Sequence, residues 1–152
     1  ALSPAARELN MSMPKYVAED LMSFCDKKKC RILILGYSYK PNVGDSRETP
    51  VKYLIDELIN NSNNVYVWDP LVKLEEMPLN CKVLNSPFEV RNLDCVVVAT
   101  AHNEVINLDW KLLFEQMSEP KIYDGRRSLD KEKMAKNGWN YMAIGMPSSL
   151  GH

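Results

Sequence analysis

Glycine is scarce in this sequence, with six in 152 residues, and no three of them stand in the Gly-x-Gly-x-x-Gly spacing. That spacing is what lets a strand-to-helix turn lie against a dinucleotide pyrophosphate, so its absence excludes an ordinary dinucleotide site in these residues. An excess of charge is also lacking: 19 basic and 20 acidic residues give a formal net charge of -1. No field of one sign draws the chain to nucleic acid or anionic lipid, and any binding of phosphate has to come from local geometry. No apolar run has the length of a membrane span, and the amino terminus carries neither the basic nor the apolar region of a signal peptide. The expectation is a cytoplasmic protein without a membrane or nucleic-acid partner. Cysteines number four. Cys25, Cys30, Cys81 and Cys95 form neither a paired metal knuckle nor a disulfide framework, so reduced, structural thiols are expected and no metal.

What the sequence contains is one domain's worth of alternating strand and helix. Residues 14 to 28 read as a helix with Val17, Leu21, Phe24 and Cys25 on one face, followed by Lys27, Lys28 and Lys29, which favour its carboxyl end or are simply solvated. Arg31 to Tyr37 reads as a buried strand. Thr49 and Pro50 are an N-cap and a first-turn proline for a helix to about Asn60, with Val51, Leu54, Ile55, Leu58 and Ile59 at helical spacing. Strands follow at Val65 to Trp68 and Lys82 to Leu84, then a single helical turn from Ser86 to Arg91. A third long strand is expected over Leu93 to Thr100, a helix over Trp110 to Met117 and a strand over Lys121 to Asp124. Residues 129 to 137 read as a helix and Trp139 to Ile144 as the last strand. This order implies a parallel, doubly wound sheet in a Rossmann-like three-layer α/β/α arrangement. The strand ends at Tyr37, Thr100 and Asp124 then open on one edge, where Lys40, His102 and Arg126 converge.

The most informative segment is Gly36-Tyr-Ser-Tyr-Lys-Pro-Asn-Val-Gly-Asp-Ser-Arg-Glu-Thr-Pro50. It puts two cations, Lys40 and Arg47, at the carboxyl edge of a sheet beside a helix N-terminus, where α/β folds collect anions. The segment resembles the Lys-Pro-x-x-x-Asp-x-Arg-Glu-x-Pro signature in the carboxyl-terminal domain of nucleotide-sugar 6-dehydrogenases, the UDP-glucose and UDP-N-acetylmannosamine dehydrogenase family. Val67-Trp-Asp-Pro70, the His102 loop and Tyr123-Asp-Gly-Arg-Arg127 are similar to later landmarks of that domain, in the same order. Upstream, Ala6-Arg-Glu-Leu-Asn10 with Met13-Pro14 resembles the end of the family's central helix in its N-acetylmannosamine branch.

The resemblance implies a division at residue 29. Residues 1–29 would be the end of a central dimerisation helix and 30–152 a UDP-binding domain, the whole an excised part of a longer enzyme. It implies that Tyr39, Lys40 and Arg126 contact the UDP-sugar, that Arg47 reaches NAD held mainly by a missing domain, and that no catalytic residue lies here. The family's nucleophilic cysteine, needed to hold the intermediate of a two-step oxidation, has no counterpart in these residues. The favoured substrate is UDP-N-acetyl-D-mannosamine, on the Asn10 to Pro14 form and the Tyr39-Lys40 pair, with UDP-glucose the alternative. A homodimer or higher homo-oligomer is expected, through apolar residues between Asn10 and Phe24, with Val17 and Leu21 facing the partner.

Each residue has a plainer reading. Lys40 could be a solvated lysine, Tyr39 ordinary packing, Asp45 and Arg47 a local ion pair stiffening the loop. Arg127 could be a surface charge or pair with an acidic neighbour. His102 is expected to cap the helix approach through Asn103 rather than act in acid-base chemistry. Asp69 reads as a structural Asp-Pro turn, although in a signalling receiver it would be a phosphoacceptor. A stand-alone nucleotide-binding module is a further rival.

Overall fold

A computed structural model describes residues 9–146. The elements run α1 (Pro14–Cys25), β1 (Arg31–Leu35), α2 (Pro50–Asn60), β2 (Asn64–Trp68), a 3-10 turn (Leu74–Glu76), β3 (Lys82–Val83) and β4 (Cys95–Val98). After these come α3 (Asn103–Ile106), α4 (Trp110–Phe114), β5 (Lys121–Asp124), α5 (Lys131–Lys136) and β6 (Asn140–Ala143). The sheet is wholly parallel, in the order β3-β2-β1-β4-β5-β6. The chain works outward from β1 to β3, then returns to lay β4 against the other side of β1. The crevice of a doubly wound fold lies at that reversal, beyond the carboxyl ends of β1 and β4.

Alternation along the strands sorts the core into two layers. Ile32 and Ile34 of β1, with Cys95 and Val97 of β4, face a cluster that includes Val17, Leu21 and Phe24 of α1 and Leu54, Ile55 and Leu58 of α2. Leu33, Leu35, Val96 and Val98 face the opposite cluster, with Trp110, Leu113, Met134 and Trp139. There Trp139 meets the edges of Trp110 and Phe114, at centroid distances of 6.0 and 5.4 Å. The four cysteines are free, three of them buried.

The helix over residues 50–60 forms as its residues dictate: the Thr49 hydroxyl accepts from Val51 N, and Pro50 opens the first turn without needing a donor. Other elements are shorter than their patterns. Helix α1 stops at Cys25 because Asp26 turns left-handed (φ 51) while its N–H closes on the Met22 carbonyl. Lys27 is not spent on the helix end; its Nζ lies 2.9 Å from Asp94 Oδ1. Strand β1 ends at Leu35 because the amides of Tyr37 and Ser38 turn to the Asp69 carboxylate instead of a neighbouring strand. Strand β4 begins at Cys95, Leu93 making only an isolated bridge to Met117. That bridge also cuts α4 short of Met117. Residues 86–91 form turns rather than a helical turn. Pro87 offers no donor, Glu89 accepts from the amides of Asn85 and Ser86, and Gln116 takes the carbonyls of Phe88 and Val90.

Helix α1 corrects one expectation. Val17 and Leu21 are fully buried, against α2 and the sheet of their own domain. Tyr123 donates to Asp20 at 2.7 Å and Lys121 donates to the carbonyls of Phe24 and Cys25, both at 3.0 Å, tying the helix down. Its outward side carries Lys15, Tyr16, Glu19 and Ser23. The apolar stripe is the domain's own core and faces no partner.

Candidate functional site

Two buried carboxylates organise the carboxyl edge of the sheet. Asp69, just past β2, accepts from five donors. Oδ2 takes the amides of Tyr37 (2.6 Å) and Ser38 (3.0 Å) and lies 3.0 Å from His102 Nε2; Oδ1 takes the amides of Leu71 and Val72. Burial alone would raise its pKa, but the His102 contact and the backbone amides prevail and hold it at about 2. The expected Asp-Pro turn is present, and it also carries the start of the Lys40 loop.

Asp124, the last residue of β5, does the same for the arginine loop. Oδ1 accepts from Arg126 N at 3.1 Å; Oδ2 accepts from the amides of Ser128 and Leu129 at 2.8 Å and from the Tyr141 hydroxyl at 2.6 Å. Between these residues Gly125 packs so closely on Met11 and the Val98 carbonyl that a Cβ has no room.

The two loops hang from one strand end. Arg126 Nε donates to the Ala99 carbonyl at 2.8 Å, and the next residue, Thr100, donates its hydroxyl to the Ser38 carbonyl at 2.8 Å. Sequence positions 38–40 and 126 are thereby brought to the same edge, as the topology requires. Burial lowers the Arg126 pKa, and the neighbouring Tyr39 opposes the shift. The Tyr39 side chain is 49 % exposed and its amide donates to the Asp45 carbonyl, closing the loop on itself. Lys40 is exposed, and neither it nor Arg126 has a carboxylate partner among the described residues. Two cations outside any ion pair of the described residues, at a sheet's carboxyl edge, suit a diphosphate, whose charge they would take up through charge-assisted hydrogen bonds.

Arg47, unlike them, is ion-paired. Its Nε and Nη2 each lie 3.0 Å from the Asp45 carboxylate, and its amide donates to the same group. These bonds hold the Asp45 carboxyl at about 2. The guanidinium side chain is 85 % exposed at the outer rim of the loop. Arg127, left-handed at φ 50, donates Nε to the Ile144 carbonyl at 2.9 Å rather than pairing with an acid. It lines a cleft of about 310 Å³ with Arg126, Gly125 and residues 9–11.

His102 departs from its expected role as a cap. It occupies the position before α3, but its side chain makes no bond to that helix. The Asn103 amide is instead capped by Asn42 Oδ1 at 2.8 Å, and the imidazole is wholly buried between Asp69, Ser38 and Asn42. With both ring nitrogens engaged by the protein, it has no open face for a substrate. Asn42 has no mark in the sequence, and Asp124 is marked there as a strand end and motif member but not as the support of the arginine loop. A signal existed for the second, an acid at a strand end before a glycine, but none for the first, whose partners lie about sixty positions away. Among the described residues no group of three His, Cys, Asp or Glu could hold a metal ion, and no helix is long and apolar enough to cross a membrane.

The fold and this edge define a doubly wound α/β domain that presents cationic loops at the carboxyl edge of its sheet and has no glycine fingerprint. Residues 33–131 match the UDP-binding domain model of the UDP-glucose/GDP-mannose dehydrogenase family, and the chain belongs to that family. It is 33 % identical over 149 residues to a UDP-N-acetyl-D-mannosamine dehydrogenase of Methanococcus aeolicus, covering 92 % of this chain and 32 % of that protein. To the UDP-glucose 6-dehydrogenase of Drosophila melanogaster it is 31 % identical over 133 residues, covering 76 % of this chain and 28 % of the relative. The solved UDP-D-ManNAc dehydrogenase of Pyrococcus horikoshii superposes with a TM-score of 0.70 at 26 % identity, over 92 % of this chain and 32 % of that one. The chain thus spans about a third of the length of the relatives it matches.

Proposed function

We propose that the chain is the substrate-binding domain of an NAD-dependent nucleotide-sugar 6-dehydrogenase, and that the sugar nucleotide is UDP-N-acetyl-D-mannosamine, oxidised at C6 to the uronate. The observation that carries this is the pair Lys40 and Arg126, neither in an ion pair among the described residues and both on loops hung from the end of β4. Lys40 and Arg126 take the diphosphate, and Tyr39 packs against the nucleotide. Held at that end, the sugar presents its C6 alcohol to chemistry performed by the rest of the protein, so binding energy gained here becomes positioning there. Two NAD molecules, bound in turn, would each accept one of the two hydrides that leave C6, while water would provide the second carboxylate oxygen. The described residues offer that cofactor the exposed guanidinium of Arg47 and no glycine-rich cradle, which supports its being held mainly outside this sequence. The whole protein is a homo-oligomer in this reading, with contacts other than Val17 and Leu21.

UDP-glucose is the second reading, supported by the likeness to the Drosophila enzyme. Assay of the whole protein with each sugar nucleotide separates the two. For the domain itself, calorimetric titration with UDP is the test: Lys40→Ala and Arg126→Ala should each weaken binding about tenfold or more, and Arg127→Ala should change it little. No binding by the parent chain, or equal losses at Arg126 and Arg127, would reject the assignment.

A further inference from the structure

The loop carrying Tyr39 and Lys40 has no helix or strand of its own, so its place depends on cross-links from other elements. One buried side chain supplies the central ones. His102 Nε2 lies 3.0 Å from Asp69 Oδ2 and 3.1 Å from Ser38 Oγ, and Nδ1 receives the Asn42 amide at 2.8 Å. A backbone amide can only donate, so Nδ1 carries no proton and the neutral ring holds its proton on Nε2, directed at Asp69 and Ser38. The Ser38 hydroxyl donates to the Lys40 carbonyl at 2.9 Å, and therefore meets the ring as an acceptor. Asn42 is left-handed at φ 63, and its side chain crosses to the Asn103 amide. The imidazole is thus bonded on both sides of Lys40, two residues before it and two residues after.

We propose that His102 is a positioning residue for Lys40, its Nε2–H tautomer fixing the loop in the form that receives the diphosphate of a sugar nucleotide. This rests on the reading of the edge as a UDP site. His102 reaches no ligand itself, since its ring has no exposed surface; it acts through Ser38 and Asn42. A histidine that merely filled the core would accept any replacement that keeps the fold. A positioning histidine demands an acceptor at the place of Nδ1, because that is the atom holding the distal half of the loop.

The demand can be tested on the 152-residue chain with UDP as ligand. In His102→Asn the side-chain amide oxygen stands where Nδ1 stands; in His102→Gln the amide reaches only the place of Nε2. Nitrogen NMR of the parent should show the Nε2–H tautomer, and its Asn42 amide should exchange slowly with solvent. His102→Asn should keep that protection and bind UDP within about threefold of the parent, while His102→Gln loses it and binds about tenfold more weakly, at similar melting temperature. Equal UDP affinities in the two variants, a proton on Nδ1, or an unprotected Asn42 amide in the parent would overturn the inference. The parent's spectra decide even where a variant fails to fold. A parent that shows the tautomer and the protected amide but binds no UDP overturns the functional reading, and the positioning role with it. One that binds UDP with the other tautomer overturns the positioning role alone.

Discussion

Tyr141 donates its hydroxyl to Asp124 Oδ2 across 2.6 Å, and this contact joins the last strand to the loop bearing Arg126 and Arg127. Burial pushes the phenol up first, and the hydrogen bond to the carboxylate adds to the shift. Tyr141→Phe removes one of five donors, leaving three amides and the Ser128 hydroxyl, and should cost about 1–2 kcal/mol, because the carboxylate keeps its backbone partners. Asp124→Ala strips three amides, a serine hydroxyl and a phenol of their acceptor and should cost more than about 3 kcal/mol. Urea unfolding of the two variants gives the comparison; equal losses would mean that the tyrosine, not the amides, organises the loop.

Acid should loosen the other hub. The Asp69 pKa is depressed from an ordinary 3.8 to about 2 in the fold, so its contribution is fully present above about pH 4 and is lost as the pH falls toward 2. The shift corresponds to about 2 kcal/mol. Asp69→Asn should flatten the fall in stability across that window. Asp45→Asn should not, although its carboxyl is held as low, because that ion pair is exposed and screened. Circular dichroism against pH distinguishes them.

Leu21→Glu puts an unpaired carboxylate into a fully buried site between α1 and the sheet. The expected outcome is loss of the folded domain, at a cost of more than about 4 kcal/mol, and not a folded monomer released from a dimer. Sedimentation combined with circular dichroism reads this directly. A well-folded variant with a smaller mass than the parent would restore the stripe to an interface.

In the whole protein, Arg47→Ala should raise KM for NAD severalfold and leave KM for the sugar nucleotide nearly unchanged. The guanidinium side chain is 85 % exposed and held by Asp45 at 3.0 Å, so it is open to a ligand from outside this chain. Movement of the sugar constant alone would place Arg47 with the substrate. Asp45→Asn should reproduce part of the NAD effect, since a bidentate partner sets the angle of a guanidinium.

Much of the fold was legible because strand and helix patterns alternate along the chain and the helices have one apolar face. The paired apolar residues of β1, Ile32 with Ile34 and Leu33 with Leu35, already indicate a sheet covered on both sides. Element lengths were less legible, since they depend on where distant groups intercept the backbone: Asp69 takes the amides past β1, and Gln116 takes the carbonyls of residues 88 and 90. The cations of the site stood out by motif. Their supports did not, because Asn42 means nothing until His102 and Asn103 are beside it. The face of α1 was misassigned for a related reason. An apolar stripe shows that something covers it and not what does.

Strand β4 brings a late anchor to the Lys40 loop, and this bears on how the domain comes into being. Thr100 meets Ser38 across 62 positions of sequence, so the Lys40 loop leaves the ribosome long before its anchor exists. A nascent chain ending before β4 carries the cationic segment with only its Asp69 support, and without Thr100 or His102. Closure over such separations is slow compared with helix formation, which places maturation of the anion site late in folding, after the α1, α2 and β1 layer has gathered. Slow steps in refolding should therefore register at the Asn42 and Arg126 amides before they register in helix content.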